Sequence, residues 1–147
     1  MYQNILIATD GSTLSQKAVS SGLELAALTG ASVVALKVVP RYPISYFEGG
    51  VGLTVNRVAD VEKQWAEAAT AVVNKIKAAA EAEGIKAKAI SVSSDFTAEA
   101  IISAAKKHKC DLIVMASHGR RGMKRLLMGS ETMNVLTHSH IPVLVLR

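Results

Sequence analysis

Apolar residues in this chain fall in short runs that alternate with stretches of helical spacing. Residues 4–9 (NILIAT) form an apolar, β-branched run that stops at Asp10-Gly11-Ser12, as a buried strand ending in a turn does. Ser12 then stands as an N-cap, and Leu14, Ala18, Gly22, Leu25 and Leu28 recur every three or four residues until Gly30, which predicts a helix. Residues 31–39 (ASVVALKVV) read as a second strand, stopped by Pro40. Residues 40–55 hold two prolines and three glycines and read as a long surface loop, a lid, a partner surface or a plain insertion. Val58, Val61, Trp65, Ala68, Val72, Ile76 and Ala79 then mark the inner face of a helix that runs up to Gly84. Residues 85–92 (IKAKAISV) alternate apolar with Lys86, Lys88 and Ser91, the period of a strand near a sheet edge. Thr97 is placed to cap a helix through Lys107, with Ala100, Ile101, Ala104 and Ala105 inward. Residues 111–116 (DLIVMA) predict a fourth strand, residues 130–137 a short helix, and residues 141–146 (IPVLVL) a fifth strand, which Pro142 confines to a start or an edge.

Five strands separated by long, mostly helical connections predict an α/β domain: a five-stranded parallel sheet with right-handed crossovers and helices on both faces. No repeat or linker divides residues 1–147, which read as one domain. Ligands on such sheets sit at the carboxyl ends of the strands where the order reverses. Asp10, after the first strand, and residues 116–119, after the fourth, are the first places to look.

Composition narrows the function without naming it. Half of the residues are apolar and 20% charged, ample for one packed core and excluding disorder. The net charge of +5 favours anionic partners of any kind, but aromatics make up 4% of the chain and form no stripe for stacking bases, so nucleic acid is an unlikely partner. Cys110, the single cysteine, excludes an internal disulfide and reads as a small buried hydrophobe. No basic segment precedes the first apolar run, and no apolar stretch approaches the roughly 20 residues of a membrane span, so the expected setting is soluble and cytoplasmic.

There is no G-x-G-x-x-G after the first strand and no G-x-x-x-x-G-K-[ST] anywhere, so neither a dinucleotide Rossmann enzyme nor a P-loop ATPase is supported. The fourth strand instead leads into Ala116-Ser117-His118-Gly119, nine further residues (RRGMKRLLM), and Gly129-Ser130 opening a helix. Glycines let backbone amides approach a phosphate, and a helix N-terminus offers free N–H groups and a favourable dipole.

This segment resembles that of the universal stress protein (UspA-like) family in its ATP-binding-type subgroup, where the pattern G-x2-G-x9-G-[ST] binds the ribose and phosphates of ATP. The likeness extends through Ala8-Thr9-Asp10-Gly11-Ser12, the segment ending Lys37-Val38-Val39, and the closing Ile141-Pro142-Val143-Leu144-Val145. It implies a Rossmann-like sheet of the adenine nucleotide alpha hydrolase type, in order 3-2-1-4-5, and a homodimer joined through strand 141–146. It also implies that Gly119, Gly129 and Ser130 hold the phosphates, with Ala8, Thr9 and Asp10 beside the triphosphate and Asp10 at its Mg²⁺. Backbone groups of Val38 would read adenine, Met115 and His118 would line the pocket, and Glu131 and Thr132 would sit at the helix start. One position departs: the family's first glycine is Ala116, whose methyl is expected to crowd a ribose or phosphate by roughly 1 to 3 kcal/mol and weaken binding without abolishing it.

Other readings are weighed on the same residues. Arg120, Arg121, Lys124 and Arg125 suit phosphate, a partner's acidic surface or a solvated loop face. Glu131 favours the helix dipole and is expected to point to solvent. Ser117 and His118 are adjacent, so their side chains are expected to diverge, and no G-x-S-x-G elbow exists, which argues against a serine hydrolase. His118, His138 and His140 lack a Cys or carboxylate partner for zinc. A nucleotidyl transferase should show an H-x-G-H motif near the first strand, and none is present. The expectation is an ATP-binding regulatory module with no evident general base, hence at most slow hydrolysis; the alternative is a nucleotide-free dimer of the same fold that binds another protein.

Overall fold

The computed structural model describes residues 1–42, 55–118 and 128–147. Its elements are β1 (Asn4–Ala8), α1 (Thr13–Thr29), β2 (Ser32–Val39), α2 (Val55–Ala82), β3 (Ala87–Ser93), α3 (Thr97–Lys107), β4 (Leu112–Ala116), α4 (Ser130–His138) and β5 (Val143–Leu146). All ladders are parallel, and the strand order is β3-β2-β1-β4-β5. The order expected from the family resemblance is therefore the observed one, with β3 and β5 on opposite edges. Most of the predicted loop 40–55 and all of the basic residues 120–125 lie outside the described residues.

Alternation along the strands divides the core into two layers. Ile5, Ile7, Val33, Leu112 and Val114 face α1, where Ala18, Leu23 and Ala26 meet them, with Ala80 of α2 alongside. Leu6, Val34, Leu36, Ile113 and Met115 face α3 and α4, where Ile101, Ile102, Ala105 and Val135 close the other layer. Burying apolar side chains on both faces explains why β1 and β4 read as continuous apolar runs.

The helical faces differ in detail from the sequence expectation. Leu28, expected inward, is 80% exposed, and Leu23 and Ala26 fill that role. On α2 the inward stripe shifts by one residue after Trp65: Ala69, Val73, Ile76 and Ala80 are buried where Ala68, Val72 and Ala79 were expected. Small residues surround both stripes, so spacing alone leaves the rotation of the helix undetermined by one position. Gly30 ends α1 in the left-handed region at φ 73°, its N–H bonding the Ala26 carbonyl. Thr97 does not cap α3: Phe96 holds the N-cap position and makes no side-chain capping bond.

Candidate functional site

The carboxyl ends of β2, β1 and β4 lie side by side. After β1 the chain turns at once into α1. The Ser12 hydroxyl accepts from Ser15 N–H at 3.3 Å, as an N-cap should, and Asp10 Oδ1 accepts from Ser12 N–H at 2.8 Å. Gly11 carries φ 81°, a conformation costly for any side chain, and its N–H donates to Thr9 Oγ1 at 3.1 Å. Below the turn the buried hydroxyls of Thr9 and Ser15 share a hydrogen bond of 2.9 Å. Ala8 packs its methyl into the layer under α3 and α4. The turn holding Asp10 is therefore fixed by local polar contacts.

Lys37 adds a cation that motif reading did not select. It sits two residues from the end of an otherwise apolar strand, and its Nζ donates to the Asp10 carbonyl at 3.1 Å. A lysine inside such a run is itself the signal, since lysine is seldom buried without a partner.

Val38 stands next to this turn. In a parallel ladder successive residues direct their N–H and C=O alternately to the two neighbours. Leu36 C=O accepts from Thr9 N–H at 3.0 Å, so it faces β1, and Val39 C=O accepts from Ser94 N–H at 2.9 Å, so it faces β3. Val38 must face the β1 side, where β1 pairing has already ended at Ala8 with Leu36. No described strand takes its backbone groups.

The fourth strand meets α4 through a compact set of bonds. Gly129 N–H donates to Ser117 C=O at 2.8 Å, and Thr132 Oγ1 lies 2.9 Å from Ala116 C=O and 3.3 Å from Ser117 C=O. Thr132 is only 3% exposed, so its side chain ties the helix to the strand. Gly129 is the N-cap of α4, with φ −60° and ψ 150° and no side-chain capping bond, which leaves Ser130 as the first helical residue with its side chain exposed. Among the described residues no side chain caps the first N–H groups of this helix, the arrangement that receives an anion. The backbone angle of Gly129 is open to any residue, but a Cβ there would lie 3.2 Å from Ser117 C=O, a tight approach that needs a small shift, and 3.5 Å from His118 Cα.

One expectation is corrected here. Ser117 and His118 do not diverge; Ser117 Oγ and His118 Nδ1 share a hydrogen bond of 2.9 Å. Ser117 is nonetheless 3% exposed, so that hydroxyl is withdrawn from any substrate. Glu131 is exposed, as expected, and from there its Oε2 accepts from Ala98 N–H at 3.2 Å, supplying the first turn of α3 with the acceptor that Phe96 lacks. The methyl of Ala116, expected to crowd a ligand, packs in the core layer under α1. Met115 is buried in the opposite layer, and Gly119 lies outside the described residues.

The family model for the universal stress protein family matches residues 1–147. The chain belongs to the universal stress protein family. A universal stress protein of Methanocaldococcus jannaschii is 32% identical over all of this chain and 83% of its own length. A second universal stress protein of that organism is 31% identical over all of this chain and 96% of its own, and its solved structure gives a TM-score of 0.83 over 99% of this chain and 96% of that one. Two further solved universal stress proteins share the fold, one in complex with cAMP (TM-score 0.71, 23% identity, 99% and 97% coverage) and one from Archaeoglobus fulgidus in complex with dAMP (TM-score 0.63, 17% identity, 99% and 98% coverage). Among the described residues of this universal stress protein no helix is long and apolar enough to cross a membrane.

Proposed function

We propose that this universal stress protein binds ATP with Mg²⁺ across the carboxyl ends of β1 and β4 and acts in the cytoplasm as a nucleotide-dependent regulatory module in a stress response. The observation that carries the reading is the convergence of main-chain groups not taken up by the fold. Val38 turns its N–H and C=O past the end of β1, and α4 directs uncapped N–H groups from the end of β4. The intervening strand spacings of about 4.8 Å each separate them by roughly 10 Å, a nucleoside's length. In this reading backbone groups of Val38 read adenine, His118 and Met115 line the pocket, and Gly119, Gly129 and Ser130 hold the phosphates. The adenine nucleotides carried by two proteins of the same fold support the ligand class.

Asp10 is the one carboxylate on the β1 turn, already oriented by Ser12 N–H. One carboxylate suits Mg²⁺ held mainly by phosphate oxygens and water, and among the described residues no cluster of three His, Cys, Asp or Glu offers an all-protein cage. The bound ion would neutralise phosphate charge. Among the described residues the one imidazole at the site, His118, is hydrogen-bonded to the buried Ser117 hydroxyl, and binding rather than turnover is the proposed activity.

Homodimerisation through β5 completes the reading. β5 is an edge strand, and Leu144 on it is exposed together with Met133 and Leu136 of the adjoining α4. The test begins with mass spectrometry of nucleotide released from gently purified protein, followed by thermal shift in millimolar Mg·ATP. A rise in Tm for wild type, lost in Gly129→Val while that variant remains folded, is the expected result. No shift for wild type refutes the ATP reading and leaves a nucleotide-free dimer that binds protein.

A further inference from the structure

The end of the sheet opposite this cradle carries a concentrated positive charge. Lys86 precedes β3, and Lys88 lies two residues on, so both fall on the same side of the edge strand. Lys88 pairs in register with Val34, whose side chain belongs to the layer under α3, so this is the α3 side. Helix α3 ends at Lys106 and Lys107, continues through its C-cap His108, and reaches Lys109 in the left-handed region at φ 54°. Lys88 and Lys107, from separate elements, both depress the His108 pKa, so the two cations act on the same ring.

Glu83 lies three residues before Lys86, and Glu99 and Glu131 line a groove with Lys106, but none of them is paired with these lysines. All five lysines are exposed, and among the described residues none forms an ion pair. Asp111 is the nearest carboxylate in sequence to Lys109, and it is engaged by Gln3 N–H at 2.9 Å and Asn4 N–H at 3.0 Å. The helix dipole favours cations at the end of α3, and edge strands use lysine against aggregation. Neither reason brings the two groups together around His108.

We infer that this lysine face binds a flexible chain of phosphate groups, with inorganic polyphosphate as its simplest ligand. Residues 83–92 and 104–112 contain no Arg, Phe, Tyr or Trp. The face therefore offers mobile point charges with neither the planar fork that grips single carboxylates nor the rings that stack bases. A ligand with a charge at every link and no required geometry matches that chemistry. Because β3 and β5 are opposite edges, the face also stays open in a dimer formed through β5.

The test is fluorescence anisotropy of labelled medium-length polyphosphate on the full chain as salt is raised from 50 to 200 mM. Neutralising about four phosphates gives a log–log slope near −3 and about a fifty-fold loss of affinity over that range. K88Q/K107Q should halve the slope and reduce the loss to about seven-fold, whereas K17Q/K63Q, with the same change of net charge on α1 and α2, should behave as wild type. Equal effects of the two double variants would reduce the binding to net charge and overturn the proposal, as would a slope unchanged by K88Q/K107Q. Oligouridylate of equal phosphate number should bind no more tightly; markedly tighter binding would mean that bases are read and would also overturn it.

Discussion

Replacing Thr132 by valine tests whether α4 is fixed to the sheet by a hydroxyl or merely by packing. The side chain is 3% exposed, and its Oγ1 lies 2.9 Å from Ala116 C=O and 3.3 Å from Ser117 C=O. Valine keeps the volume and removes the donor. Ser117 C=O retains Gly129 N–H at 2.8 Å, but Ala116 C=O lies beyond the last β1–β4 register pair, Ile7 with Val114, and loses its donor. Leaving a buried acceptor unmet costs about 1 to 3 kcal/mol. At about 2 to 4 °C per kcal/mol for a chain of this size, a loss of about 2 kcal/mol lowers Tm by about 4 to 8 °C. Thr132→Ser keeps the hydroxyl and gives up one methyl, at about 0.8 kcal/mol. Thermal and urea unfolding followed by circular dichroism, at one fixed protein concentration because a dimer's Tm depends on it, should rank wild type above serine and serine above valine. Valine at or above serine would refute the role given to the hydroxyl.

Glu131→Gln keeps an acceptor for Ala98 N–H but removes the charge, and should lower Tm by about 1 to 4 °C, since a carboxylate at the N-terminus of an exposed helix contributes about 0.3 to 1 kcal/mol; an unchanged Tm would show that the charge contributes nothing. Burial, reinforced by Asp111, pushes the Cys110 thiol up to about 11, so a thiolate-selective reagent at pH 8 should label native protein slowly and unfolded protein promptly. Partial burial, then Lys88 and Lys107, hold His108 below its ordinary pKa of 6.5, and Lys88→Gln should move its NMR titration upward. The sign for stability follows from the proton count: between the two pKa values the unfolded chain binds more protons, so stability falls as pH drops through that interval, and Lys88→Gln should narrow the dependence.

The parallel sheet with helices on both faces was legible because β1, β2 and β4 are short apolar runs whose periodicity leaves little choice, whereas the strand order came from the family resemblance. The rotation of α1 and α2 was less so, because Ala68 and Ala69, or Val72 and Val73, satisfy the same spacing and only packing selects one of each pair. Asp10, Gly129 and Ser130 were selected by their motif, and they lie after β1 and at the start of α4. The contacts that organise them were not legible, because Glu131 to Ala98, Lys37 to Asp10 and Thr132 to Ala116 each join residues far apart in the chain. Ser117 and His118 failed for another reason: adjacent residues diverge in a regular strand, but β4 ends at Ala116 and His118 lies beyond the last backbone bond to β5, Ser117 N–H to Leu146 C=O.

The borrowed cap on α3 ties two helices together in time as well as in space. The acceptor that completes the first turn of α3 belongs to a residue 33 positions later. During synthesis α3 therefore leaves the ribosome with a frayed first turn, and that turn locks only when α4 has been made and has docked. The amide of Ala98 becomes a reporter of that docking: its exchange with solvent deuterium follows every opening of α4, while amides deeper in α3 stay protected.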